Sequence, residues 1–450
     1  MLGITENQDM KAEIKNRIEQ IRQGKVPAGY KKSAIGIFPE DWEIVSLSRF
    51  FSFKNGINAE KGSFGRGTKL ISVKDILSEQ AITYDSIQGM ISLDEKQKEA
   101  FKVHYGDILF QRSSENYEDV GKSNVYLDKK RDAVFSGFVI RGQKIVDYDP
   151  VYLNEVLRLP YVRKQIQRLG AGAQHINIGQ DSLKNVHIAV AGKKEQEKLT
   201  SICLQQMKVI RFKENLLAEK LRQKQYLMQV LLTGKKRLPG YKGKWKTIHF
   251  GEVFSFGSTN SFSRQFMVSD GDGIHNIHYG DILTKYGEIL DARITKLPVL
   301  MKEAGEKIKD FISDGDIVIA DTAEDLTAGK VIEVQNVGTQ KIAAGMHTMW
   351  CTPKRGYFAP GWLGFYMNSM HFHRQLIPYM AGIKVMAISK TNIVKTHLLV
   401  PSIDEQCAIV TILTCADREI ELLKKGLEQE RRKKKALMQL LLSGIVRVKP

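Results

Sequence analysis

The chain has 450 residues, 42% of them hydrophobic, and its 68 Lys and Arg outnumber its 50 Asp and Glu to give a formal net charge of +18. No apolar run reaches the roughly 20 residues that span a bilayer, and the N-terminus lacks the apolar stretch of a secretory signal, so the sequence predicts a soluble, cytoplasmic protein with no membrane partner. The charge surplus favours a nucleic acid as partner, although a protein that is merely basic would show it too.

The four cysteines predict a reduced protein rather than a metal site. They form no CxxC pair, which is the usual spacing of zinc ligands. Cys407 and Cys415 fall on a predicted helix, where we expect them to pack.

The chain begins with a helical segment, residues 1–28, and continues into a strand-rich domain, residues 29–190. Three runs of β-branched and aromatic residues bounded by turn residues, 68–76, 104–112 and 133–142, predict strands. A helix is expected from Pro150, because proline is well tolerated at a first helical position. A last strand at 184–190 closes the predicted domain.

A long helix is predicted next, within a spacer segment of residues 191–238. The 42 residues from Lys193 to Gly234 contain no proline and no internal glycine, and they would span roughly 60 Å as a helix. The apolar residues recur near helical spacing, so this helix needs a partner for its apolar stripe. Gly234 stands where a helix C-cap favours glycine.

The second half of the chain repeats the first. Residues 150–237 align with 360–447 at a constant shift of 210, and the segments 220–234 and 430–444 are identical at eight of fifteen positions. Asp75-Ile76 matches Asp281-Ile282, and Gly24 keeps the same shift of 210 from Gly234. A second strand-rich domain is therefore predicted at 239–400, with a helix again expected from Pro360, and a second long helix at 401–450.

These elements predict a mixed α+β fold. Two globular strand-rich domains are separated by two long helices, which form an antiparallel coiled coil in a pseudo-two-fold internal repeat. The residues expected to pack the helices are apolar and occupy equivalent positions of the two copies: Ile210, Leu217, Leu227, Met228 and Leu231 in the first, and Ile420, Leu427, Leu437, Met438 and Leu441 in the second. A partner subunit could share this surface, and the sequence does not divide the two roles.

Motifs for catalysis or metal binding are not convincing, so we predict neither a catalytic nor a metal site. The glycine-rich stretch 62–69 has Thr before Lys and precedes a predicted strand, unlike a phosphate-binding loop that leads into a helix. The acids of 316–330 have no counterparts in the first copy. His371 and His373 alternate on a predicted helix and should point apart.

The order of these features resembles the specificity subunits of type I restriction-modification systems. The matching residues are GYKxxxxGxFPEDW at 29–42, its shorter counterpart LPGYKGKW at 238–245, the Gly-Asp-Ile strands, Pro401 to Gln406 at a helix entry, and the LMQxLLxG helix endings. The resemblance covers essentially the whole chain. One departure is the first helix entry, where Ala191 and Gly192 stand in place of Pro401 and Ser402.

The resemblance implies a non-catalytic subunit that reads double-stranded DNA. Each domain would be a target-recognition domain for one half of a bipartite, asymmetric sequence, and the helices would set the spacing and bind two modification subunits. S-adenosylmethionine would be bound by those subunits, ATP and Mg by the restriction subunits, and no cofactor by this chain. The alternative is a non-catalytic scaffold that binds nucleic acid without sequence preference.

Candidate DNA contacts are polar residues in the loops of both domains, since Lys and Arg contact phosphates and Arg, Lys, Asn, Gln or Ser read base edges. A solvated surface charge is the alternative for each of them. The candidates are Arg66, Lys69, Arg112, Ser113, Lys122 and Gln174 in the first domain, and Arg264, Gln265, Lys285, Arg293, Lys330 and Lys384 in the second.

Overall fold

Short apolar runs separated by turn residues fold into short strands in both globular parts of the chain. The computed structural model describes residues 2–382 and 384–448, so residues 1, 449 and 450 of the predicted outer segments lie outside the described residues. The first half of the chain contains α1 (Leu2–Arg22), β1 (Tyr30–Ser33), β2 (Gly36–Pro39), β3 (Glu43–Ser46), β4 (Phe51–Asn55), β5 (Phe64–Ile71), α2 (Val73–Ile76), β6 (Met90–Ile91), α3 (Glu95–Ala100), β7 (Ile108–Gln111), β8 (Ser113–Ser114), β9 (Ser123–Val125), β10 (Val134–Phe135), β11 (Val139–Lys144), α4 (Pro150–Leu157), α5 (Pro160–Leu169), β12 (Ile176–Asn177), α6 (Gln180–Lys184), β13 (His187–Val190) and α7 (Lys193–Leu231).

The second half repeats this order with small differences. It contains β14 (Lys246–His249), α8 (Phe250–Val253), β15 (Phe254–Phe256), β16 (Met267–Val268), β17 (His275–Ile277), α9 (Tyr279–Thr284), β18 (Ile289–Asp291), β19 (Val299–Leu300), α10 (Lys302–Gly305), β20 (Ile317–Ala320), β21 (Thr322–Ala323), β22 (Val331–Gln335), β23 (Ile342–Ala344), β24 (Thr348–Pro353), α11 (Trp362–Met367), α12 (Met370–Leu376), β25 (Met386–Ala387), α13 (Lys390–Ile393), β26 (His397–Val400) and α14 (Ile403–Leu442).

The chain forms two units, and each contains one globular domain with part of each long helix. Of the described residues, 2–212 and 427–448 form the first unit, and 213–382 with 384–426 form the second. The division therefore cuts both α7 and α14. The domain limits drawn from the sequence stay predictions.

The two main sheets of each unit share a core strand order, and each sheet of the second unit has one additional strand. The first unit contains a sheet β4-β11-β7-β9 and a sheet β10-β5-β6, and the second contains β15-β24-β20-β22-β18 and β16-β19-β17-β23. In both units one pair of strands in the smaller sheet is parallel, β10 with β5 and β17 with β23. This mixed architecture with an internal repeat confirms the predicted fold class.

The two long helices run antiparallel within each unit. In the first unit, Gln206 Nε2 donates to Glu430 Oε2 at 2.9 Å. In the second, Lys220 and Lys224 of α7 pair with Glu419 and Asp417 of α14 at 2.7 and 2.6 Å. Along these contacts the residue numbers rise on α7 while they fall on α14, so the two helices run in opposite directions. The predicted antiparallel coiled coil is therefore confirmed.

A buried glutamate near the start of each long helix anchors the opening motif of the adjoining domain. In the first unit, Trp42 Nε1 and Arg447 Nε donate to Glu195 at 3.0 and 2.9 Å. In the second, Glu405 accepts hydrogen bonds from Trp245 Nε1 at 3.2 Å and from Arg237 Nε and Nη2 at 2.5 and 2.7 Å. The first helix entry has Ala191 and Gly192 where the second has Pro401 and Ser402, and this difference leaves the anchoring contact of the glutamate intact.

Three sequence expectations about local structure are wrong. The single strand predicted at 133–142 is two strands, β10 and β11, which belong to different sheets. The predicted strand at 68–76 ends at Ile71, because Ser72 and Asp75 form a capping box that starts α2. The helix expected from Pro150 is two helices, because Pro160 holds Leu159 in an extended conformation and begins α5. Its counterpart begins at Trp362 rather than at Pro360, with Gly361 at the N-cap, and breaks before Met370.

The predicted packing of Cys407 and Cys415 is also wrong. Both lie on α14, but on its exposed face, whereas Cys203 and Cys351 are buried. Helical periodicity shows that a residue lies on a helix, and it fixes the buried face only when the apolar stripe is unambiguous.

Candidate nucleic-acid interface

Each domain contains a loop junction in which three chain segments are joined by the same pattern of backbone hydrogen bonds. In the first, Arg112 N donates to Phe138 O at 2.9 Å and Ile178 N donates to Arg112 O at 3.0 Å. In the second, Asp321 N donates to His347 O at 3.1 Å and Ile388 N donates to Asp321 O at 2.8 Å. Arg112 is therefore equivalent to Asp321 and Phe138 to His347, so one scaffold presents different chemistry in each domain.

Three of the DNA-contact candidates of the first domain lie in this loop junction or in the adjoining loop. Arg112 Nη1 donates to Gly137 O at 3.3 Å, and Ser113 Oγ donates to Asn177 Oδ1. Gln174 lies exposed in the loop that the bridge between Ala171 and Asn177 closes. Here the structure brings together the Arg112 cation, the Ser113 hydroxyl and the Asn177 amide, and Gln174 lies in the adjoining loop.

An exposed aromatic ring accompanies these groups. The side chain of Phe138 is 66% exposed, although phenylalanine is usually buried. It follows Gly137, whose carbonyl oxygen accepts the hydrogen bond from Arg112. An exposed ring beside donors suits stacking on a base or contact with a thymine methyl group.

The other candidates of the first domain lie elsewhere on it. Lys69 Nζ donates to Ile87 O at 2.7 Å, so this ammonium is engaged within the domain. Lys122 forms an ion pair with Asp119. Arg66 is exposed on β5.

Two candidates of the second domain converge on one buried carboxylate. Arg264 Nη2 and Lys285 Nζ lie 2.6 and 2.8 Å from Asp281 Oδ1. Burial raises the pKa of the Asp281 carboxyl, but the close positive charges of Arg264 and Lys285 outweigh burial, so this pKa lies below its usual value. Asp281 is therefore an anion that holds two partly exposed cations.

Three aromatic side chains lie close to this cluster. The rings of His278 and Tyr279 are 4.6 Å apart, and those of Tyr279 and His347 are 5.3 Å apart. The Nδ1 atom of His278 accepts a hydrogen bond from Gly280 N at 3.2 Å, and burial with the charge of Arg264 lowers the pKa of His278. His347 has a φ of 56°, a strained conformation for a residue other than glycine.

The remaining candidates of the second domain differ in their surroundings. Gln265 and Lys384 are exposed, the latter in the loop equivalent to that of Gln174. Arg293 is held by Asp291 at 2.7 Å. Lys330 Nζ donates to Leu283 O and Tyr286 O at 3.2 and 3.0 Å, and burial lowers its pKa, so it supports the fold from inside.

The sequence reasoning missed Asp281, His278, His347 and Phe138. One of these residues, Asp281, could have been found from its alignment with Asp75, because the residue three positions earlier differs between the two domains. In the first domain Asp75 accepts hydrogen bonds from the backbone N and the hydroxyl of Ser72, whereas His278 replaces Ser72 in the second. That replacement frees the Asp281 carboxylate for other partners. The left-handed backbone of His347 leaves no mark in the sequence.

The helix residues expected to pack fall into two groups. Those near the helix ends lie in domain cores: Leu231 is buried in the second unit beside partly buried Leu227 and Met228, and Met438 and Leu441 are buried in the first beside Leu437. Nearer the middle, Ile210, Ile420 and Leu427 are buried and Leu217 is half-buried.

The long helices also expose apolar side chains. Phe212 of α7 is 70% exposed and Leu422 of α14 is 69% exposed, and the two occupy equivalent positions of the repeat. In the described part of the chain, no helix is long and apolar enough to cross a membrane. Residues 2–382 and 384–448 contain no group of three His, Cys, Asp or Glu placed to hold a metal ion.

Comparisons with known proteins find relatives along nearly the whole chain. The protein provisionally named type I restriction enzyme MjaX specificity subunit of Methanocaldococcus jannaschii is 24% identical over 433 residues, 93% of this chain and 97% of the relative. The type I restriction enzyme MjaVIII specificity subunit of the same organism is 22% identical over 432 residues, 91% of this chain and 94% of the relative. No protein-family profile matches the chain.

A solved structure shares the fold. A chain from a study of complex assembly and conformational transition of the type I R-M system matches with a TM-score of 0.56 and 15% identity, over 91% of this chain and 98% of that one. The sequence relatives confirm the resemblance drawn from the motifs.

Proposed function

We propose that this chain, a homologue of type I restriction enzyme specificity subunits, reads a bipartite, asymmetric DNA sequence for a restriction-modification complex. The observation that carries the proposal is the pair of equivalent loop junctions, in which Arg112 and Phe138 of the first domain correspond to Asp321 and His347 of the second. Arginine reads guanine and aspartate accepts from cytosine N4, so equal scaffolds with different side chains suit unequal half-sites.

The chemistry of methylation and cleavage belongs to partner subunits in this proposal. Modification subunits bind S-adenosylmethionine and transfer its methyl group to adenine N6, and restriction subunits use ATP and Mg. The present chain contributes binding and orientation only. We place the assembly in the cytoplasm, where it meets chromosomal DNA.

The long helices are proposed as the binding surface for two modification subunits. The most exposed apolar side chains of the two helices occupy equivalent positions, Phe212 on α7 and Leu422 on α14. Exposed aromatic and aliphatic side chains of this kind are typical anchors of protein interfaces. One anchor on each copy of the repeat agrees with two identical partners.

The test is to co-express the chain with its modification subunit in a host without adenine methylation and to map N6-methyladenine across the genome. We expect one gapped, asymmetric motif methylated on both strands. Methylation without a motif from an assembled complex would contradict the proposal. Competition with unrelated duplexes separates the alternative, because a non-specific scaffold is displaced equally by every duplex, whereas a sequence reader is displaced best by its target.

A further inference from the structure

The cluster around Asp281 is the least expected arrangement in the second domain. Its carboxylate is fully buried, yet both cations that it holds reach the surface, with 48% of the Arg264 side chain and 63% of the Lys285 side chain exposed. A buried carboxylate is costly unless it is paired, so these two contacts stabilise the folded domain. The two ion pairs restrain the exposed ends of both side chains.

The first domain uses the equivalent acid differently. Asp75 caps α2 by accepting hydrogen bonds from Ser72 N and Ser72 Oγ at 2.7 and 2.8 Å. In the second domain His278 takes over the cap through its ring Nδ1, which accepts from Gly280 N. Asp281 is thus released from capping and becomes a holder of cations in this domain alone.

Arg264 keeps donors available after it has bound Asp281. Its guanidinium presents five N–H groups in a plane, and the contact found among the described residues engages Nη2 with Asp281. A phosphate contact needs charge but little orientation, whereas base reading needs a planar donor fork in a fixed direction. One carboxylate shared by two cations also leaves a net positive charge facing solvent.

We propose that Arg264 reads a guanine in the half-site bound by the second domain, with Asp281 as its positioning residue and Lys285 contacting a neighbouring phosphate. Arginine meets guanine through two hydrogen bonds to N7 and O6 in the major groove, the commonest specific contact of its kind. This inference rests on the proposed function. It predicts that no equivalent contact is made through Asp75 in the other half-site.

The test compares the full complex containing wild-type chain, Arg264→Lys, Arg264→Ala, Asp281→Asn and the control Arg355→Lys on duplexes with the mapped motif. Arg355 is an exposed arginine of the same domain that belongs to no proposed contact. Lysine retains the charge for a phosphate but loses the two-donor fork. Each guanine of that half-site is replaced in turn by 7-deazaguanine, which lacks the N7 acceptor.

We expect one replacement to weaken binding by the wild type and by Arg355→Lys roughly 5-fold or more, the lower end for a lost arginine–guanine contact. Arg264→Ala should bind the target more weakly and be insensitive to that replacement, and its methylation motif should relax at that position only. Arg264→Lys and Asp281→Asn should be less sensitive than the wild type, because lysine lacks the two-donor fork and asparagine no longer holds Arg264 by its charge. Because a merely structural loss weakens all sequences alike, the position-specific change separates positioning from destabilisation.

Two results would overturn the inference. If Arg264→Ala is as sensitive as the wild type at every guanine, Arg264 reads none of them. If Arg264→Ala weakens all duplexes equally and lowers the salt dependence of binding, Arg264 is a phosphate contact. Both results presuppose a wild-type complex that methylates a bipartite motif, so failure of the proposed function itself would be recognised first in the wild type.

Discussion

Glu195 and Glu405 are buried carboxylates, and each joins a long helix to the opening motif of a domain within its own unit. Both are almost fully buried, at 4% and 1% exposure, and each receives a tryptophan N–H and an arginine fork. The arginine comes from the end of one long helix and the glutamate from the start of the other. The contact therefore joins helix, opening motif and domain within one unit.

Removal of the glutamate should destabilise the second unit. We expect Glu405→Ala to cost about 3–5 kcal/mol, because it leaves the part-buried Arg237 guanidinium and the Trp245 N–H without their acceptor. Urea unfolding measures the change. The neighbouring Asp404→Ala, at an exposed position of the same helical turn, should cost less than about 1 kcal/mol. Equal costs would show that the buried contact contributes nothing special.

Asp41 should make the first unit sensitive to acid. The hydrogen bonds from Arg447, only partly opposed by burial, hold the pKa of the Asp41 carboxyl below its usual value. A lowered pKa means that the stabilisation is present above about pH 4 and is lost as the pH falls through the folded-state pKa.

Asp41→Asn removes this titration. The difference in unfolding free energy between wild type and variant should be constant above about pH 5 and shrink towards pH 3. Urea unfolding at several pH values measures it. A difference that does not change with pH would remove Asp41 from the account of acid stability.

Prediction of single residues from sequence was uneven, and the reason is physical. The sequence predicts Arg264 and Lys285 as loop cations, but the buried carboxylate between them is visible only in three dimensions. It predicts Lys330 in the same way, yet the Lys330 ammonium points inward to backbone carbonyls. Residue type and loop position do not reveal which way a long side chain points.

At the scale of elements, the three longest helices end in the same way. Gly24, Gly234 and Gly444 have φ values of 73°, 67° and 71°, and each donates to the carbonyl three residues earlier. This left-handed conformation favours glycine, which is why the endings could be predicted from the sequence. The short helices α2 and α9 could not, because a capping residue overrides a run of strand-forming residues.

The space around these glycines differs, so replacing each by alanine should lower the free energy of unfolding by a different amount. A Cβ atom on Gly24 would meet nothing within 4 Å, whereas one on Gly444 would lie 2.5 Å from the Pro39 ring. Gly24→Ala should therefore cost about 1–2 kcal/mol for its backbone alone. Gly444→Ala should cost about 1–3 kcal/mol more because the collision adds to the same backbone strain. Urea unfolding compares the two, and equal costs would contradict the packing described for Pro39.

At the scale of the whole molecule, the repeat was the most predictable property. Duplicated helices keep their apolar positions and cap glycines, so the shift of 210 residues survives in the sequence. The two surfaces that we propose to read DNA are less predictable because they have diverged: Arg112 stands where the second domain has Asp321, and Phe138 where it has His347.

We propose above all that the two domains read DNA separately, each its own half-site. The most direct test is to exchange residues 29–190 for those of another specificity subunit that binds the same modification subunit, and to map N6-methyladenine with the resulting complex. We predict that one half of the methylated motif changes, while the other half and the gap stay as in the wild type. A change in both halves, or in neither, would contradict the claim that each domain reads its own half-site.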